Sequence, residues 1–351
     1  MFIEYKLIKY IFVTYNLRGV EYMKLQVIFF KRKFIYYAFA VIIIILTIML
    51  TFFLFFRKNL VSTFNIVNEP KMIQADLTGD GTKDILYIKT DADKYYIQIN
   101  SEDKSYYLEP SKKISTVGNY YADWPMRLTL MDISRDNSPE IFTQASLVDT
   151  SSIKNKSILH AFLWNGEKFE DIFCSTNNIL GFIDSKNNKT PKVLSGNIKD
   201  GKMNFISYIF IQNKLKSFDY NYAENFMGKN TILGFINLMA SFPLAELNIS
   251  KELFTPDLNG NDISLLSDLS NRKVYFNFQD AIFKDYKWDK NGNTSEIIWT
   301  LNFKGSNTND INEPNANILK ETKNYTIELI LKLTPNGDNI STFMISSIAI
   351  K

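Results

Sequence analysis

A short acidic loop occurs twice, and a third time in outline, at nearly constant spacing, and this repetition constrains the fold more than any other feature. The first copy, Asp76 to Asp84 (DLTGDGTKD), carries oxygen-bearing side chains at loop positions 1, 3, 5 and 9: Asp76, Thr78, Asp80 and Asp84. Calcium takes about six to eight oxygens, and a tightly curled chain supplies them from alternate residues plus a backbone carbonyl, here that of Thr82 at position 7. Gly81 at position 6 permits the sharp turn. Position 12 is Tyr87, where a helix-loop-helix calcium site carries a bidentate Glu, and the residues that follow the loop are β-like, so it is not an EF-hand. The second copy, Asp132 to Glu140 (DISRDNSPE), repeats the pattern with Asp132, Ser134, Asp136 and Glu140, with Ser138 at position 7 and Asn137 in place of the glycine. The third, Asp184 to Lys192, has Lys186 and Lys192 in ligand slots; an ammonium group cannot coordinate a cation, so this copy reads as structural. Solvated Asp-Gly turns holding no ion are the alternative for the first two loops.

The loop starts lie 56 and 52 residues apart, a period that signals repeated β units. Strand-like runs follow each loop, at 85–89 and 95–99, at 158–164 and 169–173, and at 203–211 and 215–220. Asn165-Gly166 and Asp200-Gly201 supply hairpin turns between them. On these residues the segment 65–220 resembles the FG-GAP and VCBS-type repeats of integrin-like β-propellers. The resemblance implies that the loop joins two strands of a blade and binds calcium, through Asp76, Thr78, Asp80, Thr82 and Asp84 and, in the second copy, Asp132, Ser134, Asp136, Ser138 and Glu140. Closed propellers take about four to eight blades. Three units therefore predict a partial, propeller-like all-β domain. Calcium affinity of roughly 10⁻⁴ to 10⁻³ M is expected of sites with so few acids.

With 46% apolar residues, 28 Phe and 19 Tyr, the chain can build sizeable cores. A single Cys and a single His exclude intrachain disulfides and Cys- or His-based metal centres. The net charge of +3 is unevenly distributed: residues 1–58 hold nine basic and two acidic side chains, and the remainder is net −4. That is the wrong sign for nucleic acid, which is set aside as a partner.

Residues 34–56 form a run of 23 without a charge, about 34 Å as a helix, which predicts a transmembrane helix in contact with the lipid bilayer. Lys31, Arg32 and Lys33 before it and Arg57 and Lys58 after it favour a cytoplasmic segment 1–33, with Met23 as a candidate start. The expected location is a cell membrane, single-pass, with the later domains extracytoplasmic. A cleaved signal peptide is the alternative, opposed by the length of the run and the absence of a small-residue cleavage pattern.

From about Asn221 the texture changes. Helical spacing over 224–242 ends at Pro243, and a second short helix is predicted at 263–269. Strands follow at 274–288, 295–303, 325–333 and 341–350, with turns at Asn291-Gly292 and Asn336-Gly337. This predicts an α+β domain over 221–351, with an NTF2-like cone as one candidate. Other tempting residues carry bland readings. The stretch from Asp257 to Asp262 reads as a turn and Trp288, Trp299 and Phe303 as core. Asp280, Asp285 and Asp289 have no partner in the sequence pattern, His160 and Cys174 read as packing residues, and the sequons at Asn188 and Asn324 are expected by chance. The function expected is a membrane-anchored, non-catalytic binding or scaffold protein with calcium-stabilised repeats and an extracellular protein or polysaccharide ligand. The rivals are an envelope hydrolase or transferase with its site in a C-terminal pocket, and an intracellular sensor of reversed topology.

Overall fold

The structure, a computed structural model, describes residues 8–17, 20–29, 32–56, 65–68, 72–111, 114–148, 156–184, 191–220, 225–244, 250, 252–307, 322–336 and 340–351. The chain divides into two units, Met1–Ser62 and Thr63–Lys351. The first contains an antiparallel hairpin, β1 (Ile8–Leu17) with β2 (Val20–Phe29), and the helix α1 (Arg32–Phe56).

The expected membrane span at 34–56 is corrected here. Among the described residues no helix is long and apolar enough to cross a membrane. That finding overturns the expected transmembrane helix and, with it, the expected single-pass cell-membrane location.

The second unit begins with β3 (Asn65–Asn68) and then forms three successive four-stranded antiparallel meanders. These are β4 (Met72–Ala75) to β7 (Lys104–Tyr107) by way of β5 (Asp84–Asp91) and β6 (Lys94–Ser101); β8 (Arg127–Met131), β9 (Glu140–Leu147), β10 (Lys156–Trp164) and β11 (Phe169–Ser175); and β12 (Ile179–Ile183), β13 (Lys192–Lys199), β14 (Lys202–Ile211) and β15 (Lys214–Phe218). Each acidic loop joins the first and second strands of its meander. Turn chemistry fixes the register: Asp200 and Gly201, both at positive φ, close the β13–β14 hairpin, where Lys199 faces Lys202.

The meanders face one another across two apolar layers. Along β9, Ile141 and Ala145 contribute to the layer shared with the first meander, while Phe142 contributes to the layer shared with the third. Because both faces are covered, β9 and β10 are buried at nearly every position and show no in–out alternation.

After β15 come a 3₁₀ turn (Phe226–Gly228), α2 (Lys229–Ser241) and α3 (Gly260–Asn271). The chain ends in a long meander of β16 (Val274–Trp288), β17 (Thr294–Asn307), β18 (Thr322–Asn336) and β19 (Ile340–Ile350). The expected fold class, a membrane helix followed by an all-β repeat domain and an α+β domain, is corrected at this end as well. Among the described residues strands hold 55%, against three helices, making the described structure mostly β. The physical reason is that β12 pairs in parallel with β16, Gly181 opposite Phe283, so the third meander and the last one form a single eight-stranded sheet. The sheet therefore runs through the expected boundary at residue 220. Helices α2 and α3 cover one face of it, burying Ile232, Phe235, Met239 and Leu266 against Trp299, Leu301 and Leu329. Gly181 is required there: a Cβ would lie 2.2 Å from the Phe283 ring, which stacks on Trp299 at 4.2 Å.

Candidate functional site

The first two loops share four main-chain N–H to carboxylate hydrogen bonds. In the first, Asp76 accepts the backbone N–H of Gly79 and Gly81, at 2.7 and 2.9 Å. Asp80 Oδ1 accepts both the N–H and the hydroxyl of Thr82. Asp84 Oδ2 accepts the N–H of Leu77 at 2.6 Å, and also the N–H and hydroxyl of Thr78. In the second, Asp132 accepts from the N–H of Arg135 and Asn137 and, at 3.4 Å, from the Ser134 hydroxyl. Asp136 accepts the N–H of Ser138, and Glu140 accepts the N–H of Ile133 at 2.7 Å. Position 1 thus holds the N–H of positions 4 and 6, position 5 that of position 7, and position 9 that of position 2. Positions 4 and 6 take positive φ in both loops, as Gly79 and Gly81 and then as Arg135 and Asn137. The repeat read from spacing is therefore a repeat of backbone conformation.

The two loops also touch. The Ser138 hydroxyl donates to the Leu77 carbonyl at 2.7 Å, and a Cβ on Gly79 would meet Ser138 Cβ at 3.3 Å. Leu77 is thus held by Asp84 through its N–H and by the second loop through its carbonyl.

Burial and charge decide what these loops can hold. Asp84 and Glu140 are fully buried, and one oxygen of each, Asp84 Oδ1 and Glu140 Oε1, takes no hydrogen bond. Burial pushes the Glu140 carboxyl up to about 7, against the opposing pull of the Ile133 N–H and the Ser134 hydroxyl. At the exposed rim, the Thr82 hydroxyl and N–H lower the pKa of Asp80. A buried carboxylate oxygen without a partner is costly, and a hard divalent cation, which takes oxygen ligands throughout, is the partner these donors suit. The cage is not preformed: among the described residues no three His, Cys, Asp or Glu side chains stand together as a metal site. A carboxylate oxygen that accepts one N–H retains a second lone pair, so the bonds to Asp76, Asp80, Asp132 and Asp136 orient these groups without exhausting them.

In the third copy, residues 185–190, including Lys186, lie outside the described residues. The carboxylate facing its start comes from another strand: Asp285 of β16 accepts the N–H of Asp184 at 2.6 Å and the hydroxyl of Thr294. Burial raises the pKa of Asp285 to about 6 against those hydrogen bonds. Sequence reasoning found no partner for Asp285, because the partner lies 101 residues away.

Two further titratable side chains, Asp280 and His160, are fully buried. Asp280 is paired with Arg127 at 2.7 Å and also accepts from Trp124 Nε1 and Asn302 Nδ2. Arg127 Nη2 donates to Asn324 Oδ1, which places that sequon asparagine within the network. This cluster ties the start of β8 to β16, β17 and β18. His160 is fully buried, with Nδ1 3.2 Å from Asp171 Oδ2 and Nε2 3.0 Å from the Thr116 carbonyl. Burial lowers its pKa, but the hydrogen bonds to Asp171 and Cys174 outweigh that and carry it up to about 9. Both ring nitrogens face oxygen acceptors, and Cys174 Sγ lies 4.0 Å from Nε2. Asp289 accepts the N–H of Asn291 and Asn293 and closes the β16–β17 turn.

The chain matches no family model, no curated protein and no solved structure.

Proposed function

We propose that the unit Thr63–Lys351 is a non-catalytic binding or scaffold module whose first two loops are locked by calcium. One observation carries this reading. Two loops 56 residues apart share the same four N–H to carboxylate hydrogen bonds, and each ends in a buried carboxylate with an oxygen that no hydrogen bond satisfies. The ligands would be Asp76, Thr78, Asp80, Asp84 and the Thr82 carbonyl in the first loop, and Asp132, Ser134, Asp136, Glu140 and the Ser138 carbonyl in the second. Calcium supplies compensating charge to carboxylates that otherwise meet only N–H and O–H dipoles, and it stabilises the folded state by mass action. The resemblance to FG-GAP and VCBS-type repeats supports the same reading, because each loop joins the first two strands of a four-stranded meander.

The test is thermal unfolding of the full chain in chelator and in about 5 mM calcium. With dissociation constants of about 10⁻⁴ to 10⁻³ M, stabilisation of roughly 1 to 2 kcal/mol per site is expected. Asp80→Ala should halve the gain. A midpoint that calcium leaves unmoved sinks the proposal.

A further inference from the structure

The outermost strands of the first meander build a second feature, away from the acidic loops. Strand β7 pairs with β6 only from Gln98 to Ser101, and one further bond joins the Leu108 N–H to the Ile97 carbonyl. The chain then departs through Pro110, which has no N–H to continue the ladder. It returns at Gly118, whose carbonyl accepts the N–H of Tyr95 at 3.1 Å, and at Asn119, which bridges to Lys94. The interruption leaves a cleft of about 360 Å³ beside β6, within the size range of small-ligand sites.

The chemistry of the lining narrows the ligand. Tyr96 and Tyr107, 46% and 53% exposed, both line the cleft. Tyr107 faces Gln98 across the ladder, so Tyr96, two residues before Gln98, is its diagonal neighbour on the same open face of the sheet, roughly 7 Å away. Beside the rings lies a relay of polar groups: Lys89 Nζ donates to Gln98 Oε1, Gln98 Nε2 donates to Asn100 Oδ1 and to the Ser105 hydroxyl, and Ser105 donates to Asn100 Oδ1. The lining holds one ammonium, Lys94, and one carboxylate, Glu109, so it offers no net charge for an ionic ligand. Exposed tyrosine rings pack apolar C–H faces while their hydroxyls and the neighbouring amides bind hydroxyl groups. A chain of neutral sugars presents both kinds of surface at once. Strand β7 is only four residues long and begins with Lys104, a poor template for adding a peptide strand.

We infer that this cleft and the tyrosines beside it bind a neutral polysaccharide, which names the ligand class of the binding module proposed above and rests on that reading. The test is affinity electrophoresis of the full chain through gels containing dextran, hydroxyethyl cellulose or arabinoxylan, with polygalacturonate as the anionic control. All runs are made in chelator, so the result does not depend on the acidic loops. At least one neutral polymer should retard the protein. Tyr107→Ala should weaken the interaction roughly tenfold and Tyr96→Ala/Tyr107→Ala should abolish it, with unfolding midpoints unchanged because both side chains are exposed. Absence of retardation by all three neutral polymers overturns the assignment, as does retardation only by polygalacturonate or equal retardation of the double variant. Concentration-dependent self-association that the double variant abolishes assigns the cleft to a second copy of the chain and also overturns it. A calcium-dependent rise in midpoint without retardation would leave the loop reading standing and remove this one.

Discussion

Replacing Arg127 with Met tests how the β repeats are joined to the last sheet. Asp280 is fully buried and holds three donors, Arg127 Nη1 at 2.7 Å, Trp124 Nε1 at 2.5 Å and Asn302 Nδ2 at 2.7 Å. Burial drives its carboxyl pKa upward, and Arg127, Asn302 and Trp124 oppose that in this order. Arg127→Met removes the opposing charge and leaves a buried carboxylate with two neutral donors, a loss of about 3 to 5 kcal/mol. Protonation of Asp280 limits the loss. In the variant the folded-state pKa rises further above its unfolded value, so stability is greatest at low pH and declines as pH rises. Urea unfolding of the full chain, followed by tryptophan fluorescence, should therefore show a larger deficit at pH 8 than at pH 5. Arg127→Met/Asp280→Leu should recover most of the loss, since no lone charge remains. A deficit below about 1 kcal/mol, or one that does not change with pH, would refute the reasoning.

Glu140 gives a second pH signature. Its folded-state pKa of about 7 stands above the ordinary value of 4.5, so in chelator stability should fall as pH rises from 4.5 to 7; Glu140→Gln should flatten that slope in urea titrations. His160 acts at the other end. Its folded-state pKa is raised to about 9, so the stability it contributes is present below about 6.5 and lost as pH climbs through 9. His160→Gln should remove that alkaline loss, as read from unfolding midpoints between pH 6 and 10. Gly181→Ala should cost roughly 1 to 3 kcal/mol in the same assay, because the added methyl collides with the Phe283 ring.

What could be read in the sequence was local, and what could not was long-range. The loop frame was legible because it depends on residues within nine positions of one another. The strands at 274–288 and 341–350 were legible from composition and turn residues, and β16 and β19 occupy them. The pairing of β12 with β16 joins residues about 100 apart and leaves no local trace, so the third meander and the last one could be assigned to separate domains. The Arg127–Asp280 pair spans 153 residues and was invisible for the same reason. Burial on both faces removed the alternation that would have marked β9 as facing two neighbours. The charge-free run at 34–56 predicts a membrane span from its full length, whereas among the described residues no helix is long and apolar enough to cross. His160 reads as packing in the sequence because its acceptors, Asp171 and the Thr116 carbonyl, belong to an adjacent strand and to a segment 44 residues earlier.

The most direct measurement is a calorimetric titration of calcium into the full chain at pH 7.5. The wiring of the two loops predicts two ions per chain, bound at about 10⁻⁴ to 10⁻³ M, with one lost in Asp84→Asn and the other in Glu140→Gln. A heat trace indistinguishable from dilution at millimolar calcium, or binding unaffected by both substitutions, would contradict the account.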